Sequence, residues 1–306
     1  MSAEAFPQVE KIRLSETGLE LPSVNGTYIA VLRNADDFRG SPKQMDEADK
    51  TPGGIEIGKL MPSSAEAARE FSEQQLNGIL EGLSQEEKEQ LDIIIVASNS
   101  ALGPLAVPDG SIPPPHQRCV ETGAVMLEGV EKAMERNGLK PEQLLNREIH
   151  VVQPRPIVLR DIEDIKMRPG ILEYFDFLKE RANELTAQGK KTNMWVLYEE
   201  DTYKTERERL GIEGPQDIST RMQKFVERAE RLSSLQHKRT PDRRLLVLAV
   251  APRDVVGPWL NIQVSKLSPE RHEVPMIENL AGFGITIDSA GKASLKIAGQ
   301  EHPLSE

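Results

Sequence analysis

Three apolar runs of strand length, residues 28–32, 93–97 and 245–251, constrain the folding of this chain more than any other feature. Each is an almost unbroken apolar series rather than an alternation with polar residues, the pattern of strands buried on both faces. Between the first two runs, Ala68, Phe71, Leu76, Ile79, Leu80 and Leu83 recur at helical spacing, with Ser64 as the expected N-cap. Before the third run, Ile218, Met222, Phe225, Ala229 and Leu232 follow a strict four-three-four-three spacing, the cleanest amphipathic helix in the chain. Strand, helix, strand units of this length predict an α/β fold. Its form is a three-layer sandwich whose central sheet is mostly parallel, with helices on both faces.

The remaining segments arrange themselves around that sheet. Residues 1–24 are polar with scattered leucines and are expected to be an N-terminal extension to one domain spanning residues 25–306. Residues 36–61, rich in Gly, Pro, Asp and Lys, and residues 99–117, with Pro113-Pro114-Pro115-His116, are expected insertions. A helix carrying Val120, Ala124, Leu127 and Met134 is expected to stop at Asn137-Gly138, and residues 149–159 to form a strand broken by Pro154 and Pro156. The charged, mostly helical stretch at about 165–215 fits a cap over one end of the sheet. Residues 283–287 and 293–297 flank a Gly-containing turn, which predicts an antiparallel C-terminal hairpin.

The chain has 306 residues, enough for a sizeable core, and its 38 basic and 49 acidic residues give a formal charge of −11. That balance disfavours nonspecific binding to nucleic acid or anionic membranes, and His237-Lys238-Arg239 with Arg243-Arg244 reads as a solvated loop. Aromatic content of 4% leaves little for stacking on single-stranded bases. The single cysteine, Cys119, excludes an internal disulfide and a Cys-based zinc cluster and fits a reducing compartment. With no signal-peptide pattern and no apolar run near the roughly 20 residues that span a bilayer, the expectation is a soluble cytoplasmic protein without nucleic-acid or membrane partners.

Ligands of open parallel sheets bind beyond the carboxyl ends of the strands, so chemistry is sought where the runs stop. The first stops at Arg33-Asn34-Ala35, the last at Pro252-Arg253-Asp254, and a further one at Arg160-Asp161, while Arg118-Cys119-Val120-Glu121-Thr122 opens a helix. Arginine suits phosphate because its planar guanidinium gives two parallel hydrogen bonds to two oxygens. In this order the segments resemble the histidine phosphatase, or phosphoglycerate-mutase-like, superfamily, over residues 28–297. There the first strand ends in Arg-His-Gly or Arg-His-Ala, a later segment reads Arg-Ala-x-Gln/Glu-Thr, and the last core strand ends in Ser/Thr/Ala-His-Gly.

The resemblance implies a phosphate pocket with Arg33 and Arg118 as its arginines, Asn34 as a further donor, Arg253 as an added positive charge, and Asp161 in the place of the general acid. It also implies a loss. Asn34 and Pro252 stand where the family has its two catalytic histidines; an amide nitrogen is not nucleophilic, and proline offers no donor. The expectation is a non-catalytic member, a pseudophosphatase that binds a phosphorylated small molecule or phosphoprotein without any cofactor or metal. Two alternatives stay open: a divergent phosphomonoesterase or phosphomutase-like enzyme using Asp161 or His116 with water, and a structural or interaction protein whose pocket is filled. Asp217 and Arg221, one turn apart, read as an exposed ion pair. The chain has no Gly-x-Ser-x-Gly elbow, Walker-A loop or Gly-x-Gly-x-x-Gly fingerprint.

Overall fold

The computed structural model of the chain describes residues 11–12, 19–35, 60–98, 118–149, 155–159, 170–190, 192–267, 276–277, 279–297 and 300–304. In chain order these contain β1 (Lys11–Ile12), β2 (Thr27–Arg33), α1 (Pro62–Leu80), α2 (Gln85–Glu89), β3 (Leu91–Ser98) and α3 (Arg118–Arg136). Then come α4 (Asn146–Ile149), β4 (Ile157–Leu159), α5 (Ile171–Ala187), α6 (Met194–Glu199), α7 (Lys204–Arg209) and α8 (Pro215–Arg239). Last are β5 (Arg244–Ala251), α9 (Arg253–Leu267), β6 (Met276–Ile277), β7 (Gly282–Ile287), β8 (Ala293–Ile297) and β9 (Gln300–Pro303).

The three apolar runs lie together in one sheet of order β4-β3-β5-β2-β7-β8-β9. β4, β3, β5 and β2 are parallel neighbours, and β7, β8 and β9 continue the sheet antiparallel. The chain is therefore α/β, with a mostly parallel core and an antiparallel C-terminal edge. Successive side chains of β2 and β5 point to opposite faces and feed two cores. Ile29, Val31, Val247 and Ala249 pack with α5, α6, α8 and α9; Tyr28, Ala30, Leu32, Leu246, Leu248 and Val250 pack with α1 and α3. Along β8 one face is the more deeply covered: Ala293, Leu295 and Ile297 are buried, whereas Ser294 and Lys296 are half-buried. No helix among the described residues is long and apolar enough to cross a membrane.

Several boundaries differ from the expectation for physical reasons. The first long helix begins at Pro62 with Met61 before it and no side-chain cap, because proline at the first helical position already has the required φ and no N–H to satisfy. Of the described residues within 149–159, Ile149 closes α4 and Ile157–Leu159 pair as strand. Leu232, the last member of the α8 stripe, is 64% exposed. A repeat of four and three averages 3.5 residues per turn against 3.6 in a helix, so the stripe drifts off the buried face and Ser233 takes its place. The N-terminal extension is packed where it is described: Leu19 joins a core, Pro22 O accepts from Arg244 Nη1, and Glu20 pairs with Lys296. The proposed insertions at 36–61 and 99–117 lie outside the described residues except for Leu60 and Met61.

Close approach of α1 and α3 depends on Gly129, where a Cβ would overlap the Arg69 carbonyl and the Ser72 hydroxyl that donates to Met126 O. Replacing it should force the helices apart, so Gly129→Leu is expected to lower stability in urea denaturation by roughly 2 kcal/mol or more. Gly78, in the same α1 but with open space at its Cβ position, is the control: Gly78→Ala should raise stability by about 0.5–1 kcal/mol.

Candidate functional site

The candidate site is built where β2 and β5 end side by side. Their register runs from Thr27 opposite Leu245 to Arg33 opposite Ala251, so the two apolar runs stop at the same level of the sheet. Beyond that point Asn34 N donates to Ala251 O at 3.0 Å. Arg33 is held at its backbone by the opposite edge, donating to Ala281 O at 2.8 Å and accepting from Leu280 N at 3.0 Å.

A short hydrogen-bond chain ties the end of β2 to the first turn of α3. Ala35 N donates to Thr122 Oγ1 at 3.2 Å, and Thr122 Oγ1 donates to Arg118 O at 2.8 Å. Glu121, between them, accepts from Leu60 N at 3.0 Å. This stitching uses the residues of the Arg-x-x-Glu-Thr segment and sets Arg118 beyond the carboxyl ends of the central strands, where it is only 7% exposed. Asn34 is also buried, and its Nδ2 donates back to Ala35 O at 2.6 Å.

On the other side of the sheet α9 starts directly after Pro252, whose carbonyl accepts from Val255 N and Val256 N, both at 3.1 Å. The helix carries two charges in its first turn that point to different partners. Asp254 Oδ1 lies 3.7 Å from Arg118 Nη2 and so bridges α9 to α3. Arg253 Nη2 lies 3.5 Å from Glu199 Oε1 of α6, and its guanidinium sits over the Trp195 ring at 5.2 Å from the centroid. All four charged groups are buried.

Glu199 is a strongly perturbed acid. Its side chain is fully buried and neither oxygen has a hydrogen-bond partner among the described residues, Arg253 standing 3.5 Å away at ion-pair distance. Burial raises its pKa to about 7, with Arg253 opposing the rise. Burial likewise lowers the pKa of Arg253, opposed chiefly by Glu199. Gly257 makes the approach possible, since a Cβ there would stand 2.6 Å from Glu199 Oε1.

The structure thus brings Arg33, Asn34, Arg118, Pro252 and Arg253 to one end of the sheet, with the Arg253 side chain turned to Glu199 and Trp195. Asp161, Arg160 and His116 lie outside the described residues. Asp217 and Arg221 do not pair with each other: Asp217 Oδ2 accepts from Gly214 N at 2.9 Å at the start of α8, and Arg221 Nη1 bonds Glu213 Oε1 at 2.6 Å. His237 Nε2 stands 3.2 Å from Thr27 Oγ1, at the opposite end of β2. Sequence reasoning missed Asp254 and Glu199. The first was visible as the residue after Arg253; the second is one acid among many in a charged stretch, and only tertiary structure marks it.

At this end of the sheet α9 presents its N-terminus, where partial positive charge gathers, and Arg118 adds a buried guanidinium faced by Asp254. Asn34, Pro252 and Thr122 supply no activated nucleophile, the threonine hydroxyl being held in two hydrogen bonds.

Glu199 gives a signed pH dependence. With its folded pKa above the unfolded value, its contribution to stability is present below the ordinary carboxylate range and is lost as pH rises through about 7. His237 and His302, both lowered by burial, contribute the opposite slope. Comparison of wild type with Glu199→Gln therefore isolates the effect. Urea denaturation at pH 5 and pH 8 should show wild type losing stability relative to the variant at the higher pH.

Neither a protein-family model nor a curated protein matches this chain, so its function is argued from these residues.

Proposed function

We propose that this chain is a histidine-phosphatase-like protein that binds a phosphomonoester, on a small molecule or a protein, and does not transfer the phosphoryl group. The observation that carries the reading is the meeting of three sequence-distant segments at one sheet edge. The ends of β2 and β5 are adjacent in register, and the Arg118 turn is bonded to the residue that follows Asn34. The strand-end residues in that register are followed by an asparagine and a proline, neither of which attacks phosphorus. What remains is recognition by arginines and helix N-termini.

A second reading has its own support. Asp254 lies against Arg118, as a filled pocket would require. The two separate on binding: a filled pocket takes no phosphate at any concentration, whereas the recognition reading expects saturable binding of inorganic phosphate.

The test is made on the purified protein without added metal, with Arg33→Ala and Arg118→Ala beside it. Aryl phosphate hydrolysis should not exceed that of either variant, and calorimetry should show saturable phosphate binding that weakens roughly tenfold or more in Arg118→Ala, a loss of a charge-assisted bidentate contact. Hydrolysis that disappears in both variants would replace the recognition reading with that of an enzyme using a substitute nucleophile.

A further inference from the structure

The longest helix among the described residues, α8, turns outward a face whose charge is opposite in sign to that of the whole chain. Between residues 224 and 239 its exposed side chains include five cations, Lys224, Arg228, Arg231, Lys238 and Arg239. The one exposed acid in that stretch is Glu227, in a chain of formal charge −11. We propose that this face is a docking surface for an acidic segment of a partner protein that also carries apolar side chains. The inference does not depend on the phosphate reading above.

Three observations carry it. First, the positions form a stripe. Lys224, Arg228, Arg231, Leu235 and Lys238 are spaced by four, three, four and three residues, which sets them on one side of a helix over about 21 Å. His237-Lys238-Arg239, expected in a solvated loop, form the last turn of this helix and extend the stripe. Second, most of its cations are not neutralised within the protein: Lys224, Arg231, Lys238 and Arg239 have no ion-pair partner among the described residues. Arg243 and Arg244, by contrast, are engaged with Asp92 and with Pro22 O. Third, the face is not purely polar. Leu232 and Leu235, 64% and 52% exposed, stand one turn apart among the cations and are the most exposed large hydrophobics among the described residues. Lys224 also lines a cavity of about 430 Å³ with Thr220 and Arg221, so a bound segment has a recess at one end of the stripe to receive a side chain.

Charge complementarity fixes the sign of the partner, and shape fixes its class. The excess of acid elsewhere repels an acidic partner and steers it to this face. A nucleic-acid duplex held through its phosphates gains nothing from two leucines between the cations. An anionic bilayer is broad and flat, and two leucines are a small apolar face for anchoring on it. A single peptide segment is about as narrow as the stripe and meets cations and leucines together.

The probe is a fluorescent synthetic peptide of about four helical turns, built of glutamates with two leucines three residues apart. Anisotropy at low salt should show saturable binding to the full chain. Binding should weaken roughly tenfold in the triple variant Lys224→Glu, Arg231→Glu, Lys238→Glu, and severalfold in the double variant Leu232→Ser, Leu235→Ser. It should be lost at about 1 M salt, where screening cuts the range of charge to about 3 Å. The substituted side chains are exposed, so both variants should unfold at the wild-type temperature. No binding, or equal binding by wild type and either variant, would overturn the proposal; loss on charge reversal alone would mean that any polyanion serves. Duplex DNA and phosphatidylcholine vesicles with about 30% phosphatidylserine are run beside the peptide. Tighter binding of either one, lost in the triple variant, would assign the face to that partner instead. Titration with inorganic phosphate should not distinguish the triple variant from wild type, so failure of the phosphate reading and failure of this one are read separately.

Discussion

Parallel pairing of β2 with β5 is the constraint on which the rest of the site depends. Because both strands are buried on both faces, their side chains are divided between two different cores, and a slip of one residue would exchange the two sets. The register is locked from the other edge as well. Tyr28 of β2 lies over Gly284 of β7, where its ring fills the space that a Cβ would need. With that register held, Arg33 and Ala251 end level, and the chain leaves the sheet at one place from both strands. The helices α3 and α9, on opposite faces, then begin within ion-pair distance of each other across the sheet edge.

The charges at this edge are best understood as a set. Two cations and two anions alternate along Arg118, Asp254, Arg253 and Glu199, and adjacency of 253 and 254 in the chain makes the two ion pairs share one helical turn. Each charge alone would be expensive to bury, and pairs of this kind contribute little net stability compared with apolar residues of similar volume. Their effect is to couple elements. Through them the first turn of α9 is fixed to α3 on one side and to the α6 helix on the other. Burial of Glu199 beyond what Arg253 offsets leaves one acid of the set near neutrality, which is the sign expected when desolvation outweighs a counter-ion 3.5 Å away.

What the sequence made legible follows the range of the interactions involved. The buried strands are apolar in every residue that matters, and the hairpin alternates, so their type and order could be read locally; β9, with Gln300, Glu301 and His302, has no such pattern and was not. Arg33, Asn34, Arg118 and Pro252 could be named because they sit at the ends of those runs or in a short motif. Their neighbourhood could not. The pairing of Arg253 with Glu199 joins a strand end to α6, and nothing near Glu199 distinguishes it from Glu200, which is exposed. Leu232 failed for a related reason: periodicity alone reports a face, while burial along α8 depends on what lies opposite each turn.

Pro252 shows how a strand end can take on a structural task. A residue that presents a reactive side chain at a strand end needs a junction free to set that side chain's direction. Proline instead fixes the backbone, and here its carbonyl accepts the first two amides available in α9. The strand therefore passes into the helix with no intervening loop, and the next two residues are aimed in a defined way, Arg253 to α6 and Asp254 to α3.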